Sequence, residues 1–354
     1  MRVRPTVFHA RGFSLVELMI GVALSLMIVA GLITVLVNNV QARKEVERTS
    51  RQIESGRYAI DFMSSNLRQA GFFGEFDPSQ LTSPGAIPAA CSTAAADVRS
   101  AMAFHVHGYR DATAATAGLS CLTDLKANSD VVVVRRASTC VAGTGGCDAL
   151  TSGAFWYVQA SLCNPTIGNA ELAGAVSDYY ALDTDTANLT KHKRTCTTSG
   201  CDCTTPALAD IRRYLAHIYY VANNNVGSDG VPTLKRAELD ANGFTTIVPL
   251  VEGIEVLRVE YGIDTNADGI PEDYTATPDT YVCAGCTVVS NWRNTVSVKV
   301  FVLARNTESS SGYTDTKSYT LGSAAALPSF GDHYRRHVYG ATVKLVNVTG
   351  RRGI

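Results

Sequence analysis

Hydrophobic and polar positions divide the chain into one long apolar segment near the N-terminus and shorter alternating segments beyond it. Between residues 13 and 37, 19 of 25 positions are apolar, and no charged side chain occurs between residues 18 and 42. A helix rises about 1.5 Å per residue, so a segment of this length can cross the ~30 Å core of a bilayer. The pattern therefore predicts a membrane-spanning helix whose one charged residue is Glu17.

The helical pattern continues after the apolar segment. Two series of seven-residue steps, offset by three, run along it: Val46, Ile53, Ile60 and Leu67, and Thr49, Gly56, Met63 and Ala70. This spacing places both series on one face of a helix. We expect the face to pack on the protein's own sheet, with a free coiled coil as the alternative, and the helix to end at Gly71 and Gly74.

Alternation with a period of two predicts strands in the second half of the chain. Valines occupy every second position from residue 296 to residue 302, and residues 339–345 repeat the alternation. Residues 130–136 contain four consecutive valines, which indicates a buried strand, and 211–222 and 232–239 are further candidates. A long helix followed by strands joined by turns predicts an α+β fold with an antiparallel sheet. Residues 76–129 and 141–205, rich in small and polar residues, are expected to be disulfide-stapled loops or an inserted subdomain.

The cysteines indicate an exported head. An even number of cysteines in such a domain favours disulfides, and all ten follow residue 90: Cys91, Cys121, Cys140, Cys147, Cys163, Cys196, Cys201, Cys203, Cys283 and Cys286. Cys140 and Cys147 are spaced to close a small loop. The three cysteines between residues 196 and 203 could pair with Cys163 or among themselves. Zinc binding by Cys201, Cys203, Cys283 and Cys286 is the alternative.

An acidic segment is a candidate calcium site. Oxygen-bearing residues alternate before a glycine and continue beyond it, giving six candidate ligands: Asp264, Asn266, Asp268, Ile270 through its carbonyl, Glu272 and Asp273. Hard oxygens at every second position can converge on Ca²⁺, and Gly269 permits the sharp turn. Thr275 stands where a bidentate carboxylate is expected, so an acidic hairpin turn is the alternative interpretation.

Composition and remaining motifs exclude other function classes. The chain has 31 basic and 32 acidic residues, a formal net charge of −1, which gives no reason to predict a nucleic-acid partner. No nucleophile-elbow, phosphate-loop or His-Glu-x-x-His motif is present, so no enzymatic activity is expected. His105 and His107 are expected on the polar face of a strand, with metal binding as the alternative.

Residues 12–17, Gly-Phe-Ser-Leu-Val-Glu, resemble the N-terminal signal of type IV prepilins. The resemblance implies that a prepilin peptidase cuts between Gly12 and Phe13 and that Phe13 is then methylated. It also implies that Glu17 pairs, in an assembled filament, with the α-amino group of Phe13 of a neighbouring subunit. Residues 1–12 would then be a cleaved leader, unlike an ordinary signal peptide.

Three further stretches are similar to minor pilins of the PilW type: residues 56–74, GRYAIDFMSSNLRQAGFFG, residues 250–264, LVEGIEVLRVEYGID, and residues 334–349, YRRHVYGATVKLVNVT. The resemblance implies a minor pilin incorporated at low abundance, at the tip, that primes pilus assembly and presents partners for adhesion or twitching motility. The implied partners are other minor pilins, the major pilin, the prepilin peptidase and a pilus-tip adhesin.

Topology and domain boundaries follow from this interpretation. Arg2, Arg4 and Arg11 precede the apolar segment, so the positive-inside rule places the head in the periplasm and the helix in the inner membrane before assembly; after assembly the protein is expected on the cell surface. The expected divisions are a leader (1–12), a membrane and filament-core helix (13–37), an amphipathic helix (38–73) and a β-rich head (74–354), with 76–205 as an insertion. A type II secretion pseudopilin and a tip adhesin module are the alternatives.

Overall fold

The computed structural model describes residues 12, 14–161, 163, 171, 174–193, 195–197, 200–202 and 207–352. The chain divides into two compact units, Met1–Ser50 and Arg51–Ile354. The first unit contains the N-terminal part of the long helix. The second unit is the head, which contains the rest of that helix and the named strands.

The described elements are four α-helices, thirteen strands and short 3₁₀ helices. The α-helices are α1 (Leu15–Arg68), α2 (Ala95–Ala101), α3 (Val288–Arg293) and α4 (Val346–Thr349). The strands are β1 (Val106–Ala112), β2 (Ser129–Ala137), β3 (Tyr157–Ala160), β4 (Tyr180–Asp183), β5 (Thr195–Thr197), β6 (Gly200–Asp202), β7 (Ile211–Ala222), β8 (Thr233–Asp240), β9 (Gly243–Glu252), β10 (Ile254–Ile263), β11 (Asp273–Thr275), β12 (Thr295–Arg305) and β13 (Arg336–Lys344). The 3₁₀ helices are Pro78–Gln80, Val176–Asp178, Thr186–Asn188 and Pro278–Thr280.

The head-borne part of α1 buries one face, as its periodicity predicts. The buried positions follow helical spacing: Gln52, Gly56, Ala59, Ile60, Met63, Ser64 and Leu67. Ile53, which the pattern placed on the same face, is 40% exposed, so the prediction is wrong at this position. Apolar packing of this face of α1 ends at Gln52. The side-chain amide of Gln52 donates hydrogen bonds to the carbonyls of Ala304 and Arg335.

Two antiparallel sheets form the head, which confirms the predicted α+β class. A seven-stranded sheet has the order β1-β2-β7-β3-β4, with β8 paired to β7 and β9 to β8. A four-stranded sheet has the order β11-β10-β12-β13, in which Val259 pairs with Val300 and Val300 with Ala341. The region 76–205 supplies β1 to β4 to the larger sheet, so it forms strands continuous with the head as well as loops.

The pleat of the strands distributes apolar side chains between separate cores. Alternate residues of a strand point to opposite faces. Val132 and Val134 therefore join α1 in a central core with alternate valines of β12, whereas Val131 and Val133 join a second core on the other face of the larger sheet. The four consecutive valines form a buried strand because both faces of β2 are covered.

The long connection between β12 and β13 is held on the outer face of the smaller sheet. Tyr319 and Leu321 pack there with β-strand residues in a third, smaller core. Arg336, whose side chain is fully buried, forms ion pairs with Glu255, Asp315 and Asp332. A buried guanidinium requires such compensation, so this cluster fixes the connection to the sheet.

Disulfides close loops of the head, as the cysteine count predicts. The pairs are Cys91–Cys121, Cys140–Cys147 and Cys283–Cys286. Cys163 is also disulfide-bonded. Cys196 and Cys201 are paired positions in the backbone register of β5 and β6, and Cys203 lies outside the described residues. Because Cys283 and Cys286 are bonded to each other, they offer no thiolates, and the zinc alternative is wrong for this pair.

Candidate functional site

The N-terminal part of α1 presents an apolar surface that nothing in the described structure covers. Its large side chains from Leu15 to Val40 are exposed, and α1 is the one described helix apolar and long enough to cross a membrane. The hydroxyls of Ser25 and Thr34 donate to the carbonyls of Gly21 and Ala30, four residues earlier. These bonds remove polar groups that would otherwise be costly in hydrocarbon.

The prepilin-signal residues lie at the start of this helix. Gly12 precedes α1, which begins at Leu15, and Glu17 lies in its exposed first turn. Phe13 lies outside the described residues. Gly21 and Gly31 have open space where a Cβ would stand, so they allow another helix to approach the backbone closely.

The acidic segment forms a tight loop between β10 and β11, organised by Asp264. The carboxylate of Asp264 is buried and accepts hydrogen bonds from the backbone N–H groups of Ala267, at 2.6 Å, and Gly269, at 2.9 Å. Ala267 and Gly269 both adopt positive φ values, 66° and 81°. Such φ values favour glycine, and a Cβ at Gly269 would also lie 3.2 Å from the carbonyl oxygen of Thr349.

Three of the six predicted ligands are brought together. Carboxylate oxygens of Asp264, Asp268 and Glu272 lie within 4.8 Å of one another. The oxygen of Asn266 accepts from the N–H of Asp268, and Ile270 donates its N–H to Asp268. Asp273 begins β11, and its carboxylate accepts from the N–H of Tyr274 at 2.7 Å.

The donor set of the loop suits a hard cation, with one competing charge. Carboxylates are the oxygen ligands that Ca²⁺ takes in proteins, and Asp268 and Glu272 are exposed to solvent. Arg352, however, places a guanidinium nitrogen 3.3 Å from the second oxygen of Asp264. The spacing of residues within the acidic segment gives no sign of this contact. A cation bound by all three carboxylates would share Asp264 with Arg352 or displace it.

His105 and His107 are buried, so their expected place on a polar strand face is wrong. His107 lies in β1 with its ring centroid 5.1 Å from that of Trp292, and His105 places Nε2 2.6 Å from the carbonyl oxygen of Thr295. Burial lowers the pKa of His107 to about 3 and that of His105 to about 4. Both imidazoles are therefore neutral packing groups at neutral pH.

Antiparallel sheets together with a long, exposed apolar helix define the class of pilin-like proteins. Two family comparisons agree with this class. Residues 8–33 match the prokaryotic N-terminal methylation motif. Residues 218–347, from within β7 to the start of α4, match the family described as type IV pilus-assembly protein W. The two matches are those of a type IV pilin-family protein with a prepilin signal, in agreement with the sequence resemblance.

The two matches leave residues 34–217 between them, which include β1 to β6. Comparison with curated proteins and with solved structures gave no match. The family comparisons therefore give no information about the strands before β7.

Proposed function

We propose that this protein is a minor pilin that enters a type IV pilus at low abundance, at the tip, primes assembly and presents partners for adhesion or motility. The observation that carries the proposal is the exposed apolar surface of α1 with Glu17 as its one charge. A surface of this kind needs a membrane before assembly and a bundle of similar helices afterwards. The role is structural rather than catalytic.

Glu17 is proposed to select the position of the helix in the filament. A carboxylate in an apolar bundle is costly unless it is paired, so its placement favours one axial register over others. The proposed partner is the α-amino group of Phe13 in a neighbouring subunit, created when the leader is cut after Gly12. Buried pairs of this type contribute specificity more than net stability.

The size of the head supports a minor rather than a shaft-forming role. The proposed head, residues 74–354, contains 281 residues. A close-packed helical shaft repeats every head along its length, whereas the tip has room for a single bulky head. Other minor pilins and the major pilin are the proposed neighbours, and a tip adhesin is a proposed cargo.

Topology is proposed from charge and disulfides. Arg2, Arg4 and Arg11 favour a cytoplasmic leader, which places the head in the periplasm. Disulfides persist in that oxidising compartment. The proposed divisions are the leader 1–12, the membrane helix 13–37, the amphipathic helix 38–73 and the head 74–354, with 76–205 as an insertion.

Calcium is the proposed ligand of the loop between β10 and β11. Asp264, Asp268 and Glu272 would hold the ion directly, and Asn266 and the carbonyl of Ile270 would complete the oxygen set after local adjustment. The ion would then brace the end of β10 against β11. Asp273 is proposed to support the site indirectly, through the hydrogen bond that its carboxylate accepts from the backbone N–H of Tyr274 in β11.

Two substitutions and one control substitution in the native host test the function. Gly12→Ala should leave the leader attached and the protein in the inner membrane, whereas Gly21→Ala, a matched change within the helix, should be processed normally. Glu17→Gln should be processed and inserted but should fall in amount in sheared pili relative to the membrane. Normal leader removal from Gly12→Ala, or undiminished incorporation of Glu17→Gln, would contradict the proposal.

A further inference from the structure

A cavity of about 220 Å³ lies beside the C-terminal end of α1, where the chain leaves the helix at Gly71. Its wall combines the loop that follows α1, the end of α3 and the last described residues of the chain. The side chains facing it are unusually basic, with three arginines against one carboxylate: Arg293, Arg351, Arg352 and Asp77.

The arginines are held in place mainly by neutral groups. Arg351 donates to the carbonyls of Gly71 and Phe76. Arg293 donates to the hydroxyl of Ser83 at 2.5 Å and to the carbonyls of Ser79 and Leu81 at 2.7 and 3.1 Å. Carbonyl and hydroxyl oxygens orient a guanidinium but do not neutralise it.

Carboxylates compensate the positive charge only in part. Asp77 lies 3.5 Å from the Nε of Arg351, and Asp264 pairs with Arg352 at 3.3 Å. Within the described residues, Arg293 has no carboxylate within ion-pair distance. Three guanidiniums and two carboxylates leave a net formal charge of +1 at the cavity.

The positive charge at the cavity contributes to lowered pKa values of two basic groups, Arg293 and His105. Burial, and then the charge of Arg352, lower the pKa of Arg293. Burial lowers the pKa of His105, which also lines the cavity, and the charges of Arg352 and Arg351 lower it further. A concave, partly buried site with a net positive charge attracts anions more strongly than a flat surface does.

We propose that this cavity is a binding site for a phosphate-sized oxyanion. Guanidinium groups match the oxygens of phosphate with paired hydrogen bonds, and each carries five N–H groups. Arg293 uses one N–H of Nη1 and both N–H groups of Nη2 in the bonds above, which leaves its Nε–H and one Nη1–H for a ligand. Because the arginines are already oriented by the protein, binding costs little side-chain entropy. The anion would join the exit of α1, α3 and the C-terminal segment.

Phosphate titration of the full-length protein in detergent tests the proposal, with ionic strength held constant by sodium chloride. Inorganic phosphate should give saturable heat on calorimetric titration and raise the melting temperature of the wild type. Arg293→Gln should weaken binding roughly tenfold or more, the effect of losing a charged hydrogen-bonding partner. Arg293→Lys should bind with intermediate affinity, because it keeps the charge and loses part of the fixed set of N–H donors. Arg57→Gln, the same change at an exposed site of α1, should bind as the wild type does.

Glycerol phosphate distinguishes the source of the group. If it binds at least as well as inorganic phosphate, the natural ligand is a phosphate ester, such as a lipid headgroup or a surface polymer. If only inorganic phosphate binds, the ligand is the free ion. Absence of saturable heat in the wild type, or equal affinity of the wild type and Arg293→Gln, would overturn the proposal.

Discussion

A Cβ atom on Gly56 would lie 2.2 Å from the Cε2 of Tyr339, so the ring of Tyr339 in β13 occupies the space that a side chain at Gly56 would need. Gly56 lies on the buried face of α1. The missing side chain therefore lets the edge strand of the smaller sheet approach the helix backbone. This contact links the helix to the last strand of the family-matched region.

Gly56→Ala should lower the free energy of unfolding by about 1–2 kcal/mol, because overpacking at this contact outweighs the ~1 kcal/mol by which Ala favours a helix. In a Tyr339→Ala background the space is free, and the same substitution should be neutral or stabilising. Urea denaturation of the four variants in detergent measures the difference. An equal loss in both backgrounds would show that the ring does not limit the site.

Asp130 connects the two sheets and should be one of the most sensitive positions in the head. Its carboxylate accepts from Arg258 at 2.8 Å and from the N–H of Val259 at 2.9 Å, and both charged side chains are buried. Asp130→Ala should cost about 3 kcal/mol, since it leaves Arg258 with fewer partners in a buried position.

Asp111 supplies the matched control for this prediction. It also contacts Arg258, at 2.6 Å, but its side chain is half exposed. Asp111→Ala should therefore cost less than about 1 kcal/mol. Similar losses for Asp111→Ala and Asp130→Ala, measured by denaturation, would mean that burial does not decide the strength of this ion pair.

His107 should make the head sensitive to mild acid. Its pKa is about 3 in the folded protein against 6.5 for an exposed histidine, so the unfolded chain binds the proton first. The stability is complete above pH 6.5 and falls as the pH decreases from 6.5 towards 3, by up to about 1.4 kcal/mol per pH unit.

His107→Phe should reduce this loss, because the aromatic contact with Trp292 is kept and the titrating group is removed. Melting temperatures of the two proteins across the acid range measure the effect. An unchanged profile for His107→Phe would contradict the prediction.

Calcium should raise the melting temperature of the full-length protein, and Asp268→Asn should remove that rise. Asp268 is exposed, so the substitution should not unfold the loop by itself. Asp273→Asn makes the same charge change outside the group of three carboxylates and should retain most of the effect. No difference between calcium and a chelator in the wild type would exclude a calcium site in this loop.

Local patterns in the sequence predicted much of the fold. Four consecutive valines predicted β2, and alternation predicted β12 and β13, because side-chain direction in a strand depends only on position. The heptad series placed Gly56, Ile60, Met63 and Leu67 correctly for the same reason. The heptad series failed at Ile53 because the surface of the head that covers the helix ends there. A periodic pattern contains no information about where the surface that covers it ends.

Local sequence patterns did not predict ion pairs between residues that are far apart in the sequence. Nothing near Arg336 in the sequence shows that it will meet Glu255, and nothing near Asp130 shows that it will meet Arg258. The charged residue before a run of buried valines was the available signal for Asp130, since charge at a buried strand needs a partner. At the acidic loop, spacing predicted the convergence of Asp264, Asp268 and Glu272 but not the approach of Arg352.

Peptide mass spectrometry of sheared surface filaments distinguishes a tip protein from a shaft component. We expect a peptide that begins at methylated Phe13, present in trace amounts beside an abundant smaller pilin. Copy numbers equal to those of the main subunit would contradict a tip role and indicate a shaft component. Absence from filaments, with the leader still attached in the membrane, would contradict assembly into a pilus altogether.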